Sequence, residues 1–202
     1  MTIMGSIATI SPRDFDAVLF DLDGVLTQTE SVHASAWKRL FDAFLQERAD
    51  RTGEPFTPFD IEADYRRYVD GKPRYDGVES FLESRGIKLP VGDPGEKAGT
   101  QSVRALGKLK DRYFMEHLNK RGVAIYDPAI ALVRTLRDQE IKTAVVLSSN
   151  NCAAVLETAG ISHLFDARVD GREIERMGLK GKPAPDAFLE AAQRLRVEPS
   201  RA

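Results

Sequence analysis

Two carboxylates, Asp21 and Asp23, stand two residues apart where the apolar run Ala17-Val18-Leu19-Phe20 ends, just before Gly24. A short apolar run bounded by glycine reads as a buried strand and its turn. The acids then fall at the strand's carboxyl end, the rim where open α/β sheets bind ligands. Two close carboxylates repel each other, and a cation such as a metal ion offsets that repulsion. A calcium loop starting at Asp21 would need glycine sixth and an acid twelfth. Those positions hold Leu26 and Val32, which excludes it. A solvated turn with a helix-capping aspartate is the plainer alternative, and the strand context favours chemistry.

Other candidates gain weight from their order. Ser148 and Ser149 follow a second apolar run, Ile141–Leu147, and suit either a helix cap or a phosphate cradle. Lys182 precedes Pro183 and offers a cation late in the chain. His33 and Trp37 lie four apart on one predicted helix, where a lone histidine is more often packed than catalytic. Arg74 and the Lys108/Lys110 pair form either a solvated basic face or a second phosphate grip. His117 and His163 lack partners at metal-binding spacing, and Cys152 has no support as a nucleophile.

The elements that must position these residues follow from pattern. A strand is expected over 15–21, and a helix capped by Thr29 carries a stripe of Val32, Trp37, Leu40, Phe41 and Phe44. Loops are expected over 50–59 and 87–96, with short helices capped by Asp60 and Asp76 and a longer helix over about 97–120. A helix over 128–139, a strand over 141–147, a helix ending at Gly160, a strand over 165–169 and a helix over about 184–196 complete the pattern. Strands alternating with helices predict a doubly wound parallel α/β sheet. The helical block between the first two strands predicts a cap over 30–122, inserted into a Rossmann-like core of 15–29 and 123–202. Residues 1–14 read as a loose leader without a secretory signal.

With 202 residues and 42% of them apolar, the chain has material for one domain with an insertion. A net charge of −2 gives no reason to expect nucleic acid or an anionic membrane as partner. A single cysteine precludes an intrachain disulfide, and no apolar run reaches the length of about 18 residues that spans a bilayer. A cytoplasmic monomer is expected.

The order Asp21-Leu22-Asp23-Gly24-Val25-Leu26-Thr27, then Ser148-Ser149, then Gly181-Lys182-Pro183 resembles the β-phosphoglucomutase branch of the haloacid dehalogenase-like superfamily. His33 with Trp37, and Gly71 with Arg74, resemble its cap signatures. The resemblance implies phosphoryl transfer on a small phosphorylated sugar, glucose phosphate by preference, with Mg²⁺ as cofactor. It makes Asp21 the nucleophile and Asp23 the general acid and base, both also metal ligands. It gives Lys182 the neutralisation of the transferring group, and Thr29, Ser149 and Asn151 the positioning of phosphate. Arg74 and Lys110 would hold a distal phosphate from the cap. A sugar-phosphate phosphatase is the alternative within the superfamily.

Three departures accompany the resemblance. Leu147 stands where the superfamily has Ser or Thr, which leaves Ser148 to take over, and Gln28 replaces a common aspartate. The superfamily's acidic pair on a further strand would follow Ala202. The core is therefore expected to lack its C-terminal strands, which raises a third reading, an inactive sugar-phosphate-binding chain.

Overall fold

The alternation within the first strand settles how the sheet is covered. In β1 (Ala17–Phe20), Ala17 and Leu19 face one helical layer while Val18 and Phe20 face the other. β2 (Lys142–Val146) behaves alike, with Ala144 and Val146 on one side and Val145 on the other. Both faces of such strands are buried, as parallel sheets require. β3 (Ala167–Val169) completes a parallel sheet of order β1-β2-β3 among the described residues. The structure is a computed structural model and describes residues 10–202, so most of the expected leader lies outside the described residues.

Between β1 and β2 run α1 (Glu30–Thr52), a π-helix (Tyr65–Val69), α2 (Arg74–Ser84), α3 (Val103–Arg121) and α4 (Asp127–Asp138). After β2 come α5 (Cys152–Thr158), then β3, α6 (Gly171–Met177) and α7 (Asp186–Leu195). α4 and α5 cover one sheet face through Ile130, Val133, Val155 and Leu156. α7 covers the other through Ala187, Ala191 and Leu195, spaced four apart so that small side chains let the helix lie close to the strands. The cap has its own core, in which Phe41 stacks on Trp37 and Phe59 and lies tilted against Phe81. Phe114 and Leu118 near the end of α3 join the sheet's core instead, so the two cores meet along that helix.

Several boundaries differ from those the sequence predicts. α1 runs through the first residues of the expected 50–59 loop and stops at Gly53, whose φ of 74° supplies the left-handed C-cap. α3 starts at Val103 rather than 97, because the Ser102 side chain accepts from the Ala105 N–H and fixes the first turn there. Thr29 is the N-cap of α1 by position, but its side chain makes no capping bond and turns to Asp23. Asp60 accepts from Glu62 and Ala63 N–H in the turn that leads into the π-helix, whose N-cap is Asp64, and Asp76 lies inside the first turn of α2, which begins at Arg74. The sequence reading did not anticipate α6, although Asp170 and Glu173 form a reciprocal capping box.

The two chain crossings into the cap lie side by side. Thr27 bridges Ile125 in antiparallel fashion, Gln28 N–H donates to Ala124 C=O at 2.9 Å, and Tyr126 N–H to Leu26 C=O at 3.0 Å. Among the described residues no helix is long and apolar enough to cross a membrane.

Candidate active site

Beyond Phe20 the chain folds around a single carbonyl. Leu22 C=O accepts from the N–H groups of Val25, Leu26 and Thr27 and from the Thr27 hydroxyl, while the Leu22 and Leu26 side chains are fully buried. Gly24 sits at φ 74°, a left-handed conformation that calls for glycine, whereas a Cβ there would meet only the movable end of the Glu30 side chain. This turn directs Asp21 and Asp23 into one cleft of about 290 Å³ between sheet and cap.

Asp21 Oδ1 accepts from Leu22 N–H at 2.8 Å, and its Oδ2 lies 2.7 Å from Lys182 Nζ. Lys182 also donates to Val146 C=O at 3.2 Å, so one ammonium spans the ends of β1 and β2. Asp23 accepts from the Thr29 hydroxyl, which also pairs with Thr27 Oγ1 at 2.7 Å. Burial pushes the Asp23 carboxyl up, but the His33 ring beside it and the Thr29 hydroxyl outweigh this and hold it below the usual range. Asp23 is therefore ionised at rest.

Behind Asp23 a relay of side chains reaches into the cap. His33 Nε2 is 3.2 Å from Asp23 Oδ2, too far off line for a full hydrogen bond, and Nδ1 is 2.5 Å from Lys110 Nζ. Lys110 is 4% exposed, with its ammonium over the rings of Trp37 and Phe114 at 5.1 Å each. Burial, then repulsion from Arg74, lowers its pKa from an ordinary 10.5 to about 7. Burial likewise lowers His33.

A pH dependence of stability follows. Between about 7 and 10.5 the unfolded chain keeps a Lys110 proton that the folded chain releases. Stability therefore rises with pH through that window, and below about 7 the full penalty for the buried charge applies. Relative to Lys110→Met, the wild-type unfolding free energy should climb as pH is raised through the window. Urea melts at several pH values measure it, and a difference that stays flat or falls with pH contradicts the assignment.

The far wall of the cleft carries Arg74, the first residue of α2, and Gly71, whose C=O accepts from the Ser148 hydroxyl at 2.9 Å. Trp37, Ser149 and Leu147 also face the cleft. Leu147 is itself buried in the sheet's core and presents no hydroxyl there. Of the residues singled out from the sequence, Thr29, Asn151, Gln28 and Lys108 are not on the cleft surface, and Lys108 donates instead to the Pro94 and Glu96 carbonyls. Thr29 stands behind Asp23, and Asn151 donates through Nδ2 to Asp111 Oδ1 at 2.6 Å. Sequence reasoning missed Tyr65, which lines the cleft from the π-helix, and Asp111, whose Oδ1 also takes Arg74 Nη2 at 2.8 Å. π-helical turns gather at functional sites, but no sequence pattern marks this one.

The pair Asp21 and Asp23 offers the hard oxygen donors that suit Mg²⁺, which is commonly held by one or two carboxylates with water and substrate phosphate completing its shell. No cluster of three or more His, Cys, Asp or Glu side chains suited to a metal occurs among the described residues. The donors present fit such an ion in kind.

A family model described as haloacid dehalogenase-like hydrolase matches residues 15–202. The β-phosphoglucomutase of Mycobacterium bovis is 46% identical over 191 residues, covering 95% of this chain and 73% of that protein. The phosphorylated carbohydrates phosphatase of Thermotoga maritima is 28% identical over 189 residues, covering 92% of this chain and 73% of that protein. The crystal structure of β-phosphoglucomutase from Clostridium difficile matches with a TM-score of 0.70 at 25% identity, covering 93% of this chain and 74% of that one. An acid pair turned out of a parallel strand beneath a helical cap, in a chain matched by that family model almost from end to end, leads to one assignment: it belongs to the haloacid dehalogenase-like hydrolase family.

Proposed function

We propose that the protein transfers a phosphoryl group on a small phosphorylated sugar through an aspartyl phosphate, interconverting β-glucose 1-phosphate and glucose 6-phosphate. The observation that carries this reading is the two-ended cleft. Asp21 and Lys182 are paired at 2.7 Å on the core side, and Arg74 faces the same space from the cap. A sugar with a phosphate at each end fits such an arrangement.

In the proposed reaction an Asp21 carboxylate oxygen attacks phosphorus, and the bond from phosphorus to the sugar oxygen breaks. Lys182 offsets the repulsion between the carboxylate and the phosphoryl oxygens. Asp23, ionised at rest, removes the proton from the sugar hydroxyl that attacks the phosphoenzyme. Once protonated, it returns that proton to the leaving sugar oxygen in the reverse direction. Enzymes of this family generally use Mg²⁺. Asp21 and Asp23 would hold it, and when bound it supplies further neutralisation of the phosphoryl charge. Trp37 and Tyr65 form the wall against which the sugar turns. We assign the protein to the cytoplasm as a monomer.

A phosphatase reading draws on the likeness to the Thermotoga maritima protein, with water replacing the sugar hydroxyl. One assay separates the two. Incubation with β-glucose 1-phosphate and a trace of the glucose bisphosphate should yield glucose 6-phosphate in excess of inorganic phosphate. Arg74→Lys loses the bidentate phosphate geometry and should lower this conversion roughly ten- to a hundredfold, with little effect on hydrolysis of a small phosphate ester. Equal losses on both substrates would make Arg74 a structural residue, and release of phosphate alone would favour the phosphatase.

A further inference from the structure

Arg74 lines the cleft from the cap and Asn151 stands on the core, off the cleft surface, yet both donate to the same oxygen. Asp111 Oδ1 accepts from Arg74 Nη2 at 2.8 Å and from Asn151 Nδ2 at 2.6 Å. Arg74 and Asp111 belong to the cap, on α2 and α3, and Asn151 stands on the core just before α5. A carboxylate held between a guanidinium and a carboxamide occupies a set of donors that would equally serve a phosphate oxygen.

We infer that Asp111 competes with the distal phosphate of the ligand for Arg74 and Asn151, setting how tightly a phosphorylated ligand is held. The inference rests on the proposed reading of Arg74 as a phosphate grip. A phosphate dianion approaching these donors meets a like charge already seated on them, although Nη2 and Nδ2 each carry a second hydrogen that a phosphate oxygen could take. The ligand binds against the Asp111 charge, and each donor that it draws from Asp111 loosens the cap–core tie through Asn151. Asp111 thus acts as a positioning and affinity-setting residue. It holds the cap on the core through Asn151, and it weakens the grip on every phosphate that enters.

The test is a titration of inorganic phosphate into the wild type, Asp111→Asn, Arg74→Ala and the double variant, followed by calorimetry. Asparagine keeps the shape and an acceptor for both donors but removes the charge. Asp111→Asn should bind phosphate roughly three- to tenfold more tightly than the wild type, the scale of one partly exposed ion pair relieved. The gain should vanish in the Arg74→Ala background. Unchanged or weaker binding by a folded Asp111→Asn overturns the inference, because it would mean that Asp111 only aims Arg74. Should Asp111→Asn melt early, Asp111→Ser makes the same comparison. In turnover, Asp111→Asn should lower KM without raising kcat, a split that a merely structural role does not produce. If neither protein converts β-glucose 1-phosphate while phosphate still tightens through Arg74, the proposed reaction fails and this inference stands.

Discussion

Replacing Asp21 with asparagine is expected to abolish phosphoenzyme formation, a loss of more than about 10⁴-fold, while the protein stays folded. The loop that carries Asp21 is held by the buried Leu22 and Leu26 and by hydrogen bonds to one carbonyl, none of which needs the Asp21 charge. An asparagine oxygen can still accept from Leu22 N–H. What it cannot do is attack phosphorus. Asp23→Asn should separate the two half-reactions. Asp21 should still take phosphate from an activated donor, but transfer onto a sugar hydroxyl should stop for want of a base. Acid quench and mass spectrometry locate the phosphate. Phosphate on a serine or histidine, with Asp21 unmodified, would overturn the assignment.

Lys182→Met is expected to slow phosphoryl transfer roughly 10²- to 10³-fold, the cost of removing one preorganised charge from a transition state. The Lys182 ammonium lies 2.7 Å from Asp21 Oδ2, 3.2 Å from Val146 C=O and 5.4 Å from the Phe188 ring centroid. Its position is thus set by the ends of two strands and by one ring of α7. Methionine retains much of the stem and loses the charge that lies over Phe188. The melting temperature should move little, because Asp21 is part-exposed and water can solvate it. Single-turnover rates paired with thermal melts check both halves. A loss below tenfold, or a rate loss explained by a collapse in melting temperature, would assign the neutralisation to another group.

How far the sequence could be read depended on whether a feature is local. The end of β1 was legible because an apolar run, two acids and a glycine are consecutive. The parallel sheet was legible because strands and helices alternate, and alternation in turn fixes the rim on which the site must form. The side-chain ties were not legible. Arg74, Asp111 and Asn151 lie far apart along the chain, and no helical or strand spacing rule links them. Thr29 has the residue type and place of a helix cap, and only the folded loop reveals that Asp23 is the stronger claimant for its hydroxyl. Tyr65 sits in a π-helical turn whose widened spacing breaks the period by which a helix is recognised. α6 was readable in principle from Asp170 and Glu173, but its seven residues give no apolar stripe to support the capping signal.

The paired crossings at Gln28 and Ala124 carry a consequence for how such a protein can change its trade. Because the cap leaves and rejoins the core one hydrogen bond apart, the core's own chain path is nearly closed without it. The gap that a substitute insert must bridge is short and costs little loop entropy whatever the insert's length. An entire cap is thus exchangeable as a cassette, carrying its own core and its own choice of sugar, while Asp21 and Lys182 stay where the strands put them. The exchange is not free of side effects. His33 and Lys110 would leave with the cassette, and each new lid must supply its own neighbours for Asp23 before the inherited chemistry can run beneath it.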